Sequence, residues 1–327
     1  MSTEVAVEID GQYRAMKEGA GVLDRSKRGM LLVRGADAAE FLQGQLTNDI
    51  EALEPETGCY SALLDRKGHM QADMRVLRLS TGDIWIDTEA EAFGAVDRHL
   101  RMYSIGREVE IEDASGEWTL LSVIGPAARE TSGAGPLTGE HAQREYSRDG
   151  VEILAVRTDL GVDLIARAHQ TGELKRLLAS AEAVDVTEAA AEIIRVESGR
   201  PRFGREMTTA TIPQEAGIDE RAVSFTKGCY IGQETVARVK YRGHVNRALS
   251  GLVVEGDRVP ETGARVVVDG TDVGRVTSAA RSIALGRPIA LGYVRREHFE
   301  PGTAVTVVDA GGEQPARVSA LPFVPEP

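Results

Sequence analysis

The chain has 327 residues and a formal net charge of -13, with 42% hydrophobic and 27% charged residues. That length allows two or three domains with a substantial core, and the acidic balance argues against a general nucleic-acid binder, whose phosphate contacts need clustered Lys and Arg. The two cysteines, Cys59 and Cys229, lie far apart and outside any C-x-x-C pattern, which excludes a disulfide framework and a four-cysteine zinc or iron–sulfur site built from this chain alone.

No apolar run approaches the roughly 20 residues of a membrane span. The opening "MSTEVAVEIDGQY" shows no basic region followed by an apolar stretch, so a cytoplasmic location is expected. "GMLLVRG" is strand-like, and "ADAAEFLQGQL" carries Ala, Phe and Leu at helical spacing. "CYSALLD" and "HMQADMRVLRL" flank "RKG", which predicts a hairpin with Gly68 in its turn. "DIWID" predicts a third strand and "EAFGAVDRHLRMYSI" an amphipathic helix. A second round predicts strands near 117–124, 151–157 and 162–167, then helices near 171–182 and 187–199. Such alternation implies an α+β fold of antiparallel sheets with helices on one face. After about residue 245 the helical signal disappears, and "ALSGLVVEG", "ARVVVDG", "VGRVTSAA", "IALGYVRRE" and "AVTVVDAGG" read as short strands between turns. They predict a small β-barrel of about 80 residues docked on the front part. The expected domains are therefore 1–244 and 245–327.

Most catalytic motifs fail. There is no G-x-x-x-x-G-K-[ST], "GAGPLTG" misses the dinucleotide spacing, the six histidines are scattered, and no G-x-S-x-G elbow is present. Three stretches remain. In "RKGHMQADMRV", alternation places Met70, Ala72, Met74 and Val76 on one face and His69, Gln71, Asp73 and Arg75 on the other. Asp73 is then either a solvent-facing carboxylate on an edge strand or a group facing a polar cavity, able to bind an N–H donor or take up a proton. In "AAEIIRVESGRPRFGREM", Ile193, Ile194 and Glu197 share a helix face, so Glu197 points partly inward and needs a donor. Arg200 or Arg202 could supply it, or a ligand offering two parallel N–H groups. In "KGCYIGQE", Cys229 precedes a predicted helix and neighbours Lys227, and both features favour a thiolate; a small residue at a tight turn is the plainer reading. The acid-free "RVKYRGHVNR", with Arg238, Lys240, Arg242, His244 and Arg247, is either a solvated helix end or a basic rim for an anionic ligand.

Together these stretches resemble the folate-binding, YgfZ-type branch of the aminomethyltransferase (glycine cleavage T-protein) superfamily, whose mitochondrial relatives assist iron–sulfur cluster assembly. "KGCYIGQE" is similar to the signature K-G-C-[FY]-x-G-Q-E at Lys227, Gly228, Cys229, Tyr230, Gly232, Gln233 and Glu234. The likeness runs on through "FLQGQLTNDI", "KGHMQAD", "RVESGRPRFG" and "IPQEAG" into the barrel, nearly the whole chain. The resemblance implies two interlocked α+β subdomains and a barrel around a channel that holds tetrahydrofolate. It implies that Asp73 lies near the reactive folate nitrogens and that Glu197 holds the pterin edge. Tyr230 and Gln233 join them as expected folate contacts, and Cys229, Lys227 and Asp73 are the expected catalytic residues.

The true transferases lack the signature cysteine and typically read G-G-x-x-D-D where this chain has "GHMQAD", with Ala72 in place of the first carboxylate. The resemblance therefore implies a tetrahydrofolate-binding accessory protein, and leans away from an enzyme. It would support iron–sulfur enzymes, including tRNA-modifying ones, through cluster client or assembly proteins, with no membrane and no strong nucleic-acid contact. The alternative is a glycine-cleavage aminomethyltransferase moving a one-carbon unit from a lipoyl carrier to tetrahydrofolate.

Overall fold

A computed structural model of the protein describes residues 3–324, with side chains from residue 7 onward. The chain divides into two compact units. One comprises the residues up to Arg66, Gln71–Glu188 and Arg221–Gln233; the other comprises Lys67–Met70, Ala189–Glu220 and the residues from Glu234 on.

The first unit holds two sheets. A five-stranded sheet runs in the order Thr57–Leu64, Met70–Arg78, Ile84–Thr88, Gly29–Arg34, Glu110–Asp113. A six-stranded sheet runs Val184–Asp185, Gly21–Asp24, Trp118–Ile124, Gly161–Arg167, Val151–Arg157, Gln143–Arg148. The sheets interlock because the chain starts in the second at Gly21, crosses to the first at Gly29 and returns at Trp118. Met30, Leu32, Leu77 and Trp85 of the first sheet share one core with Leu120, Val156 and Ile165 of the second. Burying both faces explains why the central strands read as near-continuous apolar runs. The predicted hairpin forms, and Gly68 takes φ 83° in its turn, a conformation that costs glycine no steric clash. The helix Ala90–Tyr103 buries Ala92, Val96 and Leu100 at four-residue spacing. Its Phe93 lies so close to Gly29 that a Cβ there would come within 2.3 Å of the ring, so a side chain at position 29 would displace the helix.

In the second unit six strands close a barrel in the order Arg247–Val254, Arg287–Arg295, Thr271–Ser282, Arg265–Val268, Ala304–Asp309, Gly312–Ser319. Leu252, Val266, Val276, Ala290, Val294, Val307 and Val318 fill it. Val196, near the end of the helix Glu188–Glu197, packs on Ala280, Ile289 and Leu291 of the barrel wall.

The α+β class with a C-terminal barrel is as expected, with three differences of detail. The barrel has a sixth strand, Gly312–Ser319, and a 16-residue helix, Thr3–Glu18, precedes the first strand. The pairing of Gly21–Asp24 with Val184–Asp185 is parallel. No helix among the described residues is long and apolar enough to cross a membrane.

Candidate functional site

Asp73 lies on Met70–Arg78, where the alternation holds: Met70, Ala72, Met74 and Val76 are all fully buried. The strand is interior to its sheet, so Asp73 does not sit on an edge. The residue is half-buried, its Oδ2 accepts the Tyr60 hydroxyl at 2.6 Å, and its Oδ1 is enclosed with no hydrogen-bond partner. Burial raises the Asp73 pKa above the usual carboxylate range, and the Tyr60 hydroxyl and the nearby Arg28 charge only partly offset it. Burial and the adjacent carboxylate push Tyr60 well above its ordinary value in turn. Arg221 stacks over the Tyr60 ring at 5.5 Å. Tyr60 was not among the residues singled out from sequence, yet it and Asp73 are nearly equidistant from the hairpin turn, and that symmetry is a readable signal for a cross-strand pair.

Behind Asp73 lies a buried ionic network between the two sheets, also missed. Arg75 bonds Asp87 through Nε and Asp163 through Nη1, both at 2.7 Å. Arg28 reaches Asp87 at 2.8 Å and also bonds Glu89. Arg75 and Asp87 face each other directly in the register of adjacent strands, which is why they meet. His141, one of the scattered histidines, is mostly enclosed, and burial pushes its pKa down to about 4.

Ala72, the position that departs from the transferase pattern, is on the core face, whereas Asp73 keeps the opposite one. The departure therefore changes packing and leaves the polar-facing carboxylate in place.

In the second unit Glu197 is 2% exposed, so its expected inward orientation is real. Donors to its Oε1 come from the barrel: the Ser282 hydroxyl at 2.6 Å and the Ala284 amide at 3.3 Å. In the same unit Glu206 is a buried and heavily bonded carboxylate. It accepts from Arg195 Nη1 (2.8 Å), the Arg202 amide (3.0 Å), Thr277 (3.0 Å) and Ser278 (2.6 Å).

In the "KGCYIGQE" segment the predicted helix forms, and what the sequence did not show is where the Lys227 ammonium goes. Its helix starts at Gln233, four residues beyond Cys229, so the thiol precedes a helix as expected. The Lys227 ammonium donates to the carbonyls of Gln43, Leu46 and Asn48 at 2.7, 2.8 and 2.6 Å, closing the end of the helix Ala38–Gln45. Burial lowers the Lys227 pKa to about 8, and Asp49, Cys59 and Glu51 only partly oppose it. The thiol that feels this ammonium is Cys59, yet burial still pushes Cys59 up to about 12. Lys227 also lies 5.3 Å over the ring of Tyr230, which is 7% exposed and whose own pKa burial lifts to about 12. The Gln233 amide donates to the Tyr230 carbonyl at 3.3 Å. Cys229 is exposed. Iodoacetamide is therefore expected to label Cys229 at least about tenfold faster than Cys59 at neutral pH, through access and the raised pKa of Cys59. Peptide mapping by mass spectrometry reads both rates, and equal rates would contradict the packing described for Cys59.

Of the basic stretch, Lys240 pairs with Asp219 at 3.5 Å and Arg247 with Glu215 at 3.1 Å, so acids of its own unit answer part of that charge.

The GCVT N-terminal domain family matches residues 3–227, and the Glycine cleavage T-protein C-terminal barrel domain family matches residues 247–325. The aminomethyltransferase of Streptomyces coelicolor is 32% identical, over 95% of this chain and 88% of its own. That of Rubrobacter xylanophilus is 31% identical, over 96% of this chain and 86% of its own. The glycine cleavage system aminomethyltransferase T from Bartonella henselae shares the fold with a TM-score of 0.87 at 24% identity, covering 97% of this chain and 89% of that one. These relatives correct two expectations. An iron–sulfur accessory role, with cluster client proteins and tRNA-modifying enzymes as partners, is not what they are named for, and the lean away from an enzyme is overturned too; they are named as enzymes. With family matches along nearly its entire length, the chain belongs to the aminomethyltransferase, or glycine cleavage T-protein, family.

Proposed function

We propose that the protein is a tetrahydrofolate-dependent aminomethyltransferase, which moves a one-carbon unit from an aminomethyl group on a lipoyl carrier to tetrahydrofolate. The observation that carries this reading, beside family membership, is the state of Asp73. One of its oxygens is enclosed without a donor, and burial raises its pKa above the ordinary carboxylate value, which favours uptake of a proton. Tetrahydrofolate offers the N–H donors that such an oxygen lacks, so the residues present fit it. Tyr60 holds the other oxygen and fixes the direction in which Asp73 Oδ1 points. Glu197 keeps its proposed role as the acceptor for the pterin edge, and Tyr230 and Gln233 theirs as further folate contacts. Lys227 acts by fixing the helix end at Gln43–Asn48 rather than by activating a thiol. We further infer that the YgfZ-type likeness of "KGCYIGQE" describes this segment and its turn, carried on a transferase scaffold.

The test uses purified protein supplied with tetrahydrofolate and a lipoyl protein loaded with an aminomethyl group. Ammonia release and methylene-tetrahydrofolate formation are expected, each dependent on both substrates. A folded protein that binds tetrahydrofolate yet gives no turnover above the uncatalysed rate would overturn the transferase reading.

A further inference from the structure

We infer that Ser282, at the end of a barrel strand, is a positioning residue that sets the orientation of the Glu197 carboxylate; this rests on the reading of Glu197 as a folate acceptor. Ser282 closes the strand Thr271–Ser282 and pairs with Arg287, which opens the next strand, so the two bracket a short hairpin turn. Its side chain is fully enclosed. A serine hydroxyl has one proton to give, and here that proton goes to Glu197 Oε1 at 2.6 Å, while the Leu285 amide donates to the same hydroxyl at 3.0 Å and holds it in that direction. The Ala284 amide adds a second donor to Oε1 at 3.3 Å. Two donors on one oxygen fill its lone pairs and fix the rotation of the carboxylate about its last bond. The backbone of Glu197 is held as well, its carbonyl accepting the Phe323 amide at 2.9 Å. A ligand donor therefore meets a carboxylate whose plane is set in advance, not a side chain that must be ordered on binding.

A second serine on the same strand supplies the control. Ser278 is also buried, but its hydroxyl serves Glu206 at 2.6 Å. Both serines hold the barrel together; only Ser282 touches Glu197.

Tetrahydrofolate affinity by calorimetry and Tm are measured for Ser282→Ala, Ser282→Cys, Ser278→Ala, Glu197→Ala and the Glu197→Ala/Ser282→Ala double variant. Ser282→Ala is expected to raise Kd about tenfold, the scale of one lost charge-assisted hydrogen bond. Ser282→Cys, with a weaker donor of similar size, should fall between it and wild type, and it carries the test if the alanine variant fails to fold. Ser278→Ala should lower Tm and leave Kd unchanged. The double variant should bind no more weakly than Glu197→Ala alone, because Ser282 acts through that carboxylate. Unchanged Kd in the Ser282 variants, or an additive double variant, would overturn the positioning role while leaving Glu197 in place. Unchanged Kd in folded Glu197→Ala would remove the reading of Glu197 itself, and the positioning role with it.

Discussion

Replacing Asp87 by alanine is expected to destabilise the protein by about 3–5 kcal/mol at neutral pH, the scale of removing one partner from a buried ion network. Asp87 is 1% exposed, with Arg28 on one oxygen and Arg75 on the other. Its loss takes a bonded carboxylate from each of two buried guanidinium groups, leaving Glu89 bonded to Arg28 and Asp163 bonded to Arg75. The measurement is a urea titration, in which the midpoint should fall while the slope is unchanged. An Arg75→Met partner completes a double-mutant cycle, and the double variant should cost less than the two single ones together. A loss under about 1 kcal/mol would mean that the network behaves like an exposed ion pair.

The same residue gives the pH dependence a sign. Burial alone would raise the Asp87 pKa, but Arg75 and Arg28 more than compensate, so the folded value lies below the ordinary one. A depressed carboxylate contributes stability that is present above the unfolded pKa, about 4, and lost as pH falls through the folded value. Asp87→Ala should therefore lose less stability than wild type on acidification below about pH 4.

Local patterns carried much of the fold: the alternation in "HMQADMRV", the hairpin at Gly68 and the helix Ala90–Tyr103 are all where spacing put them. The sixth barrel strand was hidden because Pro315 lies inside it, and a proline demotes a strand in any local reading. Proline removes only the backbone donor there; the Pro315 carbonyl still accepts the Glu255 amide at 2.9 Å. The placement of Asp73 on the polar face was legible because a single strand determines it, whereas contacts between distant segments were not. Alternation placed Arg75 on the polar face, and a polar face reads as solvent-facing until a second sheet covers it. Its partner Asp163 is 88 residues away. Lys227 misled for the same reason: its carbonyl partners lie some 180 residues earlier, so the nearby thiol looked like its natural neighbour.

Asp73→Asn should lower the transfer rate by at least about 100-fold while raising Tm, and the opposite signs are the informative part. Burial raises the Asp73 pKa. A carboxylate with a raised folded pKa contributes stability that is full below the unfolded pKa and lost as pH rises through the folded one. Ionising this buried group weakens the fold, and asparagine removes that burden while its carbonyl can still accept the Tyr60 hydroxyl. The rate falls because an amide cannot take up the proton that the carboxylate accepts. In wild type, activity should therefore rise with pH through an apparent pKa above the ordinary carboxylate value, and the asparagine variant should lack that limb. Tyr60→Phe adds a check, since it deletes the donor that favours the charged form and should move the limb to higher pH. A folded Asp73→Asn enzyme with near wild-type turnover would take Asp73 out of the chemistry, and gain of stability alone would then mark it as a buried charge with no catalytic purpose.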